Sequence, residues 1–154
     1  MFLDQIYKWN PKTFSFFKKG KTILIGHRGA PNLAHENTLE SFNKAFKANL
    51  KGIELDIQLS KDNKLIIFHD WKIKKQNGKF QKITSHDYSK ILLISEYYNF
   101  NIPLLEEVIN MLPKNKFINI ELKTMKIFNK KLILLLLKLL IHNKIINRVI
   151  ISSF

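Results

Sequence analysis

From Ile53 to Leu59 the chain alternates strictly, with Ile53, Leu55, Ile57 and Leu59 on one side and Glu54, Asp56 and Gln58 on the other. A period of two is that of a β-strand. Two placements satisfy it: a strand half exposed to water, or a barrel strand whose apolar side meets surrounding helices while its carboxylates point inward at the mouth. A second segment repeats the pattern, with Asn119, Glu121 and Lys123 set against Ile118, Ile120 and Leu122. Two such strands with acidic residues on the polar side favour the barrel placement.

The remaining elements fit the same scheme. Thr22 to Ile25 is a short β-branched run that stops at Gly26, as a buried strand would. Asn37-Thr38-Leu39-Glu40 reads as a helix start, Asn37 capping and Glu40 reaching back, with Leu39, Phe42 and Phe46 on one face over roughly residues 38–48. Leu65 to Phe68 is another apolar run. Only Ser60 to Lys64 joins it to the preceding strand, so it is either a hairpin partner or a barrel strand reached without a helix. Residues 71–100 read as a polar, irregular insertion beside the mouth, with a turn at Asn77-Gly78. Pro103 opens a helix through Leu112, Phe117 to Leu122 is the next strand, and Ile127 to His142 is a helix apolar enough to be buried on more than one side. Arg148 to Ile151 begins a further strand.

Strands alternating with helices predict a parallel α/β architecture. A complete (β/α)8 barrel takes about 250 residues. This chain of 154 is expected to carry the first half to two thirds of one, truncated after about the fifth strand. Residues 21–154 form the one domain. Residues 1–20, with Phe14, Phe16 and Phe17 beside Lys18 and Lys19, form a segment that packs on the domain or makes a weak membrane-surface patch.

Charge and composition narrow the chemistry. There is no cysteine, so metal must come through oxygen or imidazole ligands. The net charge of +14 fits an anionic partner, yet only Arg28 and Arg148 are arginine and the lysines are spread along the chain. They are not interleaved with stacking aromatics, which argues against a nucleic-acid partner. The apolar run Leu132 to Ile141 contains Lys138 and is far short of the roughly 20 residues a bilayer requires. A soluble, cytoplasmic chain is the expectation.

Glu54, Asp56 and Glu121 offer three hard oxygen ligands suited to Mg²⁺ or Ca²⁺. Without a cation, carboxylates gathered on one side would repel one another and take up protons. Arg28 offers a planar fork to a phosphate and Lys123 a point charge. His27 and His69 can serve as base and acid on opposite sides of a phosphorus.

Taken in order, Gly26-His27-Arg28-Gly29, Glu36-Asn37-Thr38, Glu54-Leu55-Asp56, His69-Asp70 and Glu121-Leu122-Lys123 resemble the glycerophosphodiester phosphodiesterase family, from about Ile23 to the last residue. The resemblance implies a TIM-type barrel. It implies a divalent metal on Glu54, Asp56 and Glu121, a catalytic pair His27 and His69, and phosphate contacts from Arg28 and Lys123. The implied reaction is hydrolysis of a glycerophosphodiester to sn-glycerol 3-phosphate and an alcohol, with a cyclic phosphate intermediate plausible by the same analogy. Glu36 and Asn37 are weaker candidates, structural or supporting. Two departures bear on substrate positioning: His35 replaces the family's proline, and Trp71 to Gln76 replaces its Arg and Thr after His69-Asp70. His86 and His142 match nothing and are assigned surface or packing roles. The alternative is a non-catalytic remnant of such an enzyme that pairs through its open barrel edge.

Overall fold

Strand β2 (Gly52–Leu59) is the middle of the sheet, buried along all but its last residue. The computed structural model describes residues 22–74, 77–124 and 129–153; the N-terminal segment 1–20, expected to pack on the domain, lies outside the described residues. Strand β1 (Ile25–Gly26) pairs parallel to β2 on one side and β6 (Phe117–Leu122) parallel on the other, followed by β7 (Val149–Ser152), parallel to β6. The order β1-β2-β6-β7 is thus an open parallel sheet of four strands.

The question left open by the short link Ser60 to Lys64 is answered by β3 (Leu65–Ile67), which turns back antiparallel to β2 with Ile57 opposite Ile67. Five residues close a hairpin but cannot return a chain to the start of a parallel strand. Of the five strands counted from the sequence, four therefore run parallel. At β1, Leu24 is 65% exposed and Ile25 37%. The buried strand expected there is instead an edge, paired on one side only among the described residues.

Helix α1 (Leu39–Lys47) lays Phe42 and Ala45 against the sheet. Its cap differs from the sequence expectation: Thr38, not Asn37, accepts the free amide of Ser41, and Glu40 pairs forward with Lys44 at 2.7 Å rather than reaching back. Asn37 is drawn away because its side chain is engaged elsewhere.

The stretch expected to be irregular is structured. Strands β4 (Lys72–Lys74) and β5 (Phe80–Lys82) form a ribbon, followed by a single 3₁₀ turn and helix α2 (Tyr88–Tyr97). Its isoleucines Ile73, Ile83, Ile91 and Ile94 gather with Ile66 and Ile102 in a small core of their own. That core holds the stretch in place: each buried isoleucine contributes about 1.5–3 kcal/mol.

Helix α3 (Leu105–Met111) begins where the Glu107 carboxylate accepts the Leu104 N–H at 2.7 Å. Helix α4 (Lys130–His142) buries the stripe Leu132, Leu136 and Leu140. Leu134 and Ile141 are 43% and 60% exposed, so burial on several sides is not found. The main core lies between these helices and the apolar faces of β2 and β6. Among the described residues, no helix is long and apolar enough to cross a membrane.

Candidate active site

Register assembles the site. Gly26 lies beside Ile53, Glu54 beside Asn119 and Asp56 beside Glu121. Residues paired in register share a sheet face, so Glu54, Asp56 and Glu121 meet toward the C-terminal ends of parallel strands, the end where barrel enzymes carry their sites. One carboxylate oxygen from each lies within 4.8 Å of the other two. Glu54 and Asp56 are buried, and the Glu121 side chain is 12% exposed.

Burial, together with the charges of Asp56 and Glu121, pushes the Glu54 carboxyl up to about 7, against the pull of Arg28. The Arg28 backbone N–H donates to Glu54 Oε2 at 2.9 Å. The buried oxygens Glu54 Oε1 and Asp56 Oδ1 accept no well-directed hydrogen bond, although Lys123 Nζ stands 3.4 Å from the latter. Buried polar atoms are rarely left so. Under-coordinated hard oxygens converging from three strand positions fit a divalent cation.

The loop after β1 is built to present Arg28. Arg28 has a φ of 54° and Gly29 one of 92°, a reversal that lets the Gly29 N–H donate back to Gly26 at 3.1 Å. A Cβ on Gly29 would lie 2.4 Å from Ser41 Oγ, so the loop approaches α1 as closely as only glycine permits. The Ser41 hydroxyl then holds it from both sides, accepting from the Ala30 N–H at 2.8 Å and donating to the Arg28 carbonyl at 3.1 Å. From there the Arg28 guanidinium reaches Glu36 Oε1 at 2.9 Å and stands 3.3 Å from Asp56 Oδ2.

Asn37, also at a positive φ of 57°, donates through Nδ2 to Asp56 Oδ2 at 2.9 Å. Lys123 bridges Glu121 and Asp56. Burial would lower its ammonium pKa, but contact with Glu121 and the charge of Asp56 outweigh that and hold it above the ordinary lysine value.

The two histidines flank the cluster. His27 is 72% exposed with Nε2 3.9 Å from Glu54 Oε2. His69 shares a cavity of about 130 Å³ with Glu121 and Lys123, and its Nδ1 lies 2.8 Å from Asp70 Oδ1. All nine sequence candidates are thus within one neighbourhood. His35 is exposed and stacks on Phe100 at 4.0 Å, and His142 is exposed. A groove of about 790 Å³ between α1 and the α2–α3 region holds none of these nine side chains.

Sequence reasoning missed Gln58. It is fully buried, and its Nε2 donates to the carbonyls of Phe68 at 2.8 Å and Asp70 at 2.9 Å, fixing the segment that carries His69. Its signal was its place two residues beyond Asp56 on the same polar face.

An open parallel sheet flanked by helices, with a carboxylate cluster, two cationic side chains and two imidazoles at its C-terminal end, has the layout of part of a (β/α)8 barrel enzyme. A sequence model of the glycerophosphoryl diester phosphodiesterase family matches residues 27–154, and the chain belongs to that family. It is 32% identical over 142 residues to a glycerophosphodiester phosphodiesterase of Caldanaerobacter subterraneus, covering 87% of this chain and 58% of that protein. Among solved structures, a glycerophosphodiester phosphodiesterase of Thermotoga maritima superposes with a TM-score of 0.72 at 33% identity, over 87% of this chain and 55% of that one. A phosphodiesterase of Oleispira antarctica, solved with the product sn-glycerol-3-phosphate, superposes with a TM-score of 0.76 at 26% identity, over 92% and 60%. The chain therefore spans somewhat more than half the length of these relatives.

Proposed function

We propose that this chain supplies the metal and phosphate site of a glycerophosphodiester phosphodiesterase, which hydrolyses deacylated phospholipids to sn-glycerol 3-phosphate and an alcohol. The observation that carries it is the convergence of Glu54, Asp56 and Glu121 within 4.8 Å, with buried oxygens short of donors and Arg28 and Lys123 alongside. The product held by the Oleispira antarctica relative is of the same chemical class.

Glu54, Asp56 and Glu121 would hold Mg²⁺ or Ca²⁺. Bound there, the ion supplies Lewis-acid neutralisation of the phosphoryl oxygens. Arg28 is held against Asp56 and Glu36 with its fork directed by that pair, so a phosphate entering beside Asp56 meets a pre-oriented donor set. Lys123, now shared by Glu121 and Asp56, provides the second positive charge. His27 takes the proton from the glycerol hydroxyl that attacks phosphorus, its Nε2 lying on the Glu54 side; the alcohol leaves, and water then opens the resulting cyclic phosphate to sn-glycerol 3-phosphate. His69 returns a proton to the leaving oxygen. Its Nδ1 is engaged by Asp70, which leaves Nε2 for the transfer.

The test is incubation of the purified chain with glycerophosphocholine, with and without Mg²⁺ or Ca²⁺. Release of glycerol 3-phosphate that stops with chelator and with Glu54→Ala supports the reading; metal-independent release, or none from folded protein, overturns it. Metal binding without turnover, together with a dimer in solution, would instead favour a non-catalytic form that pairs through an open sheet edge. A cytoplasmic location belongs to the same proposal and is checked by cell fractionation.

A further inference from the structure

His69 faces two cavities. One is the small space shared with Glu121 and Lys123; the other, of about 290 Å³, is also lined by His69 and Asp70 and is walled by the β4–β5 ribbon and residues just after α2. If His69 gives its proton to the leaving oxygen, as proposed above, the second cavity is where the leaving alcohol lies.

Its lining is specific in two ways. Phe68, Phe100 and Tyr98 supply aromatic surface, with Phe68 and Phe100 nearly parallel at 6.5 Å and His35 stacked on Phe100. Aromatic walls alone would suit a quaternary ammonium head group. The ribbon reverses that preference by adding Lys72 and Lys74 to the lining. Positive charge stays in excess there: Glu36 is paired with Arg28 at 2.9 Å, Asp70 is the one other carboxylate of the lining, and neither lysine makes an ion pair among the described residues. The ribbon also sets Lys72 directly opposite Lys82. Like charges facing across a strand pair are destabilising. A local cost of this kind is expected where a surface serves binding.

We propose that this cavity selects diesters whose alcohol carries a further anionic group, such as a second phosphate, over those bearing a cationic head group. Lys72 and Lys74 attract the added charge while the aromatic wall packs against the carbon skeleton of the alcohol. The inference rests on the phosphodiesterase reading for which substrate is meant, but its test is made by binding.

Affinities of the folded chain for bis(glycerophospho)glycerol and for glycerophosphocholine are measured by titration calorimetry at low salt. At least about tenfold tighter binding of the former is expected, falling to threefold or less in Lys72→Gln/Lys74→Gln. Lys138→Gln, an exposed lysine on α4 that lines neither cavity, should leave the ratio unchanged. Equal affinities, tighter binding of the choline compound, or a ratio that survives the double substitution overturns the inference. So does a double substitution that weakens binding to phosphatidylglycerol vesicles but not to the soluble diester, since the lysines would then serve a lipid surface. Turnover is followed in parallel: a preserved preference with no turnover of any diester counts against the enzymatic reading and leaves this inference standing, whereas turnover without preference counts against this inference alone.

Discussion

Replacing Glu54 with glutamine tests the carboxylate cluster without altering its shape. Burial and two neighbouring carboxylates place the Glu54 pKa at about 7 instead of the ordinary 4.5. A carboxyl whose folded pKa is raised binds more protons folded than unfolded between those two values, so stability falls as pH rises through that window. It is full below about 4.5 and lost above about 7. A shift of about 2.5 units at 1.36 kcal/mol each is about 3 kcal/mol over the whole window, of which about 2.5 kcal/mol falls between pH 5 and pH 8, so metal-free protein is less stable at pH 8 by that amount on account of this group. Glu54→Gln keeps an acceptor for the Arg28 N–H and removes the charge. The variant should therefore be more stable than wild type at pH 8 in chelator, by up to about 3 kcal/mol, with this pH dependence gone. Cation binding runs the other way: at pH 6 about nine tenths of metal-free Glu54 carries a proton that binding must release, and at pH 8 about one tenth. Urea denaturation with chelator at the two pH values measures the first effect. Calorimetry with Mg²⁺ or Ca²⁺ in buffers of different ionisation enthalpy measures the second. A variant no more stable than wild type at pH 8, or cation binding without proton release at pH 6, would refute the account of the cluster.

Two further outcomes follow from the geometry. Gly29→Ala forces a Cβ to 2.4 Å from Ser41 Oγ and 2.8 Å from the Ser41 backbone carbon at a φ of 92°, and should cost about 2–3 kcal/mol in chemical denaturation; a variant as stable as wild type refutes the close approach. Gln58→Leu leaves the Phe68 and Asp70 carbonyls without their donor, at about 1–3 kcal/mol; calorimetry should find cation affinity within twofold of wild type while hydrolysis falls at least tenfold, because His69 and not the carboxylates loses its support.

What the linear chain determined is chiefly what depends on period and local chemistry. Alternation along Ile53 to Leu59 and Ile118 to Lys123 set the polar face on which Glu54, Asp56 and Glu121 lie, and pairing β2 with β6 in parallel then made them neighbours. The short link after Leu59 left hairpin and barrel strand open, because length alone limits a connection without orienting it; packing of Ile66 and Ile67 decided for the hairpin. Asn37 had the right chemistry for a cap, and only the approach of Asp56 from another strand drew its side chain away and left the role to Thr38. Residues 71–100 read as irregular because their apolar residues follow no sustained period between the polar runs, yet tertiary contact with Ile66 and Ile102 gathers several of them into a core. Helix α4 reads as buried on several sides from hydrophobicity alone, but the sheet has one face to offer it, so a single leucine stripe is covered. Residue types and spacing thus name the groups able to bind a cation and a phosphate, while the charge each carries is decided by distances between strands, since desolvation and Coulomb interaction depend on proximity in space.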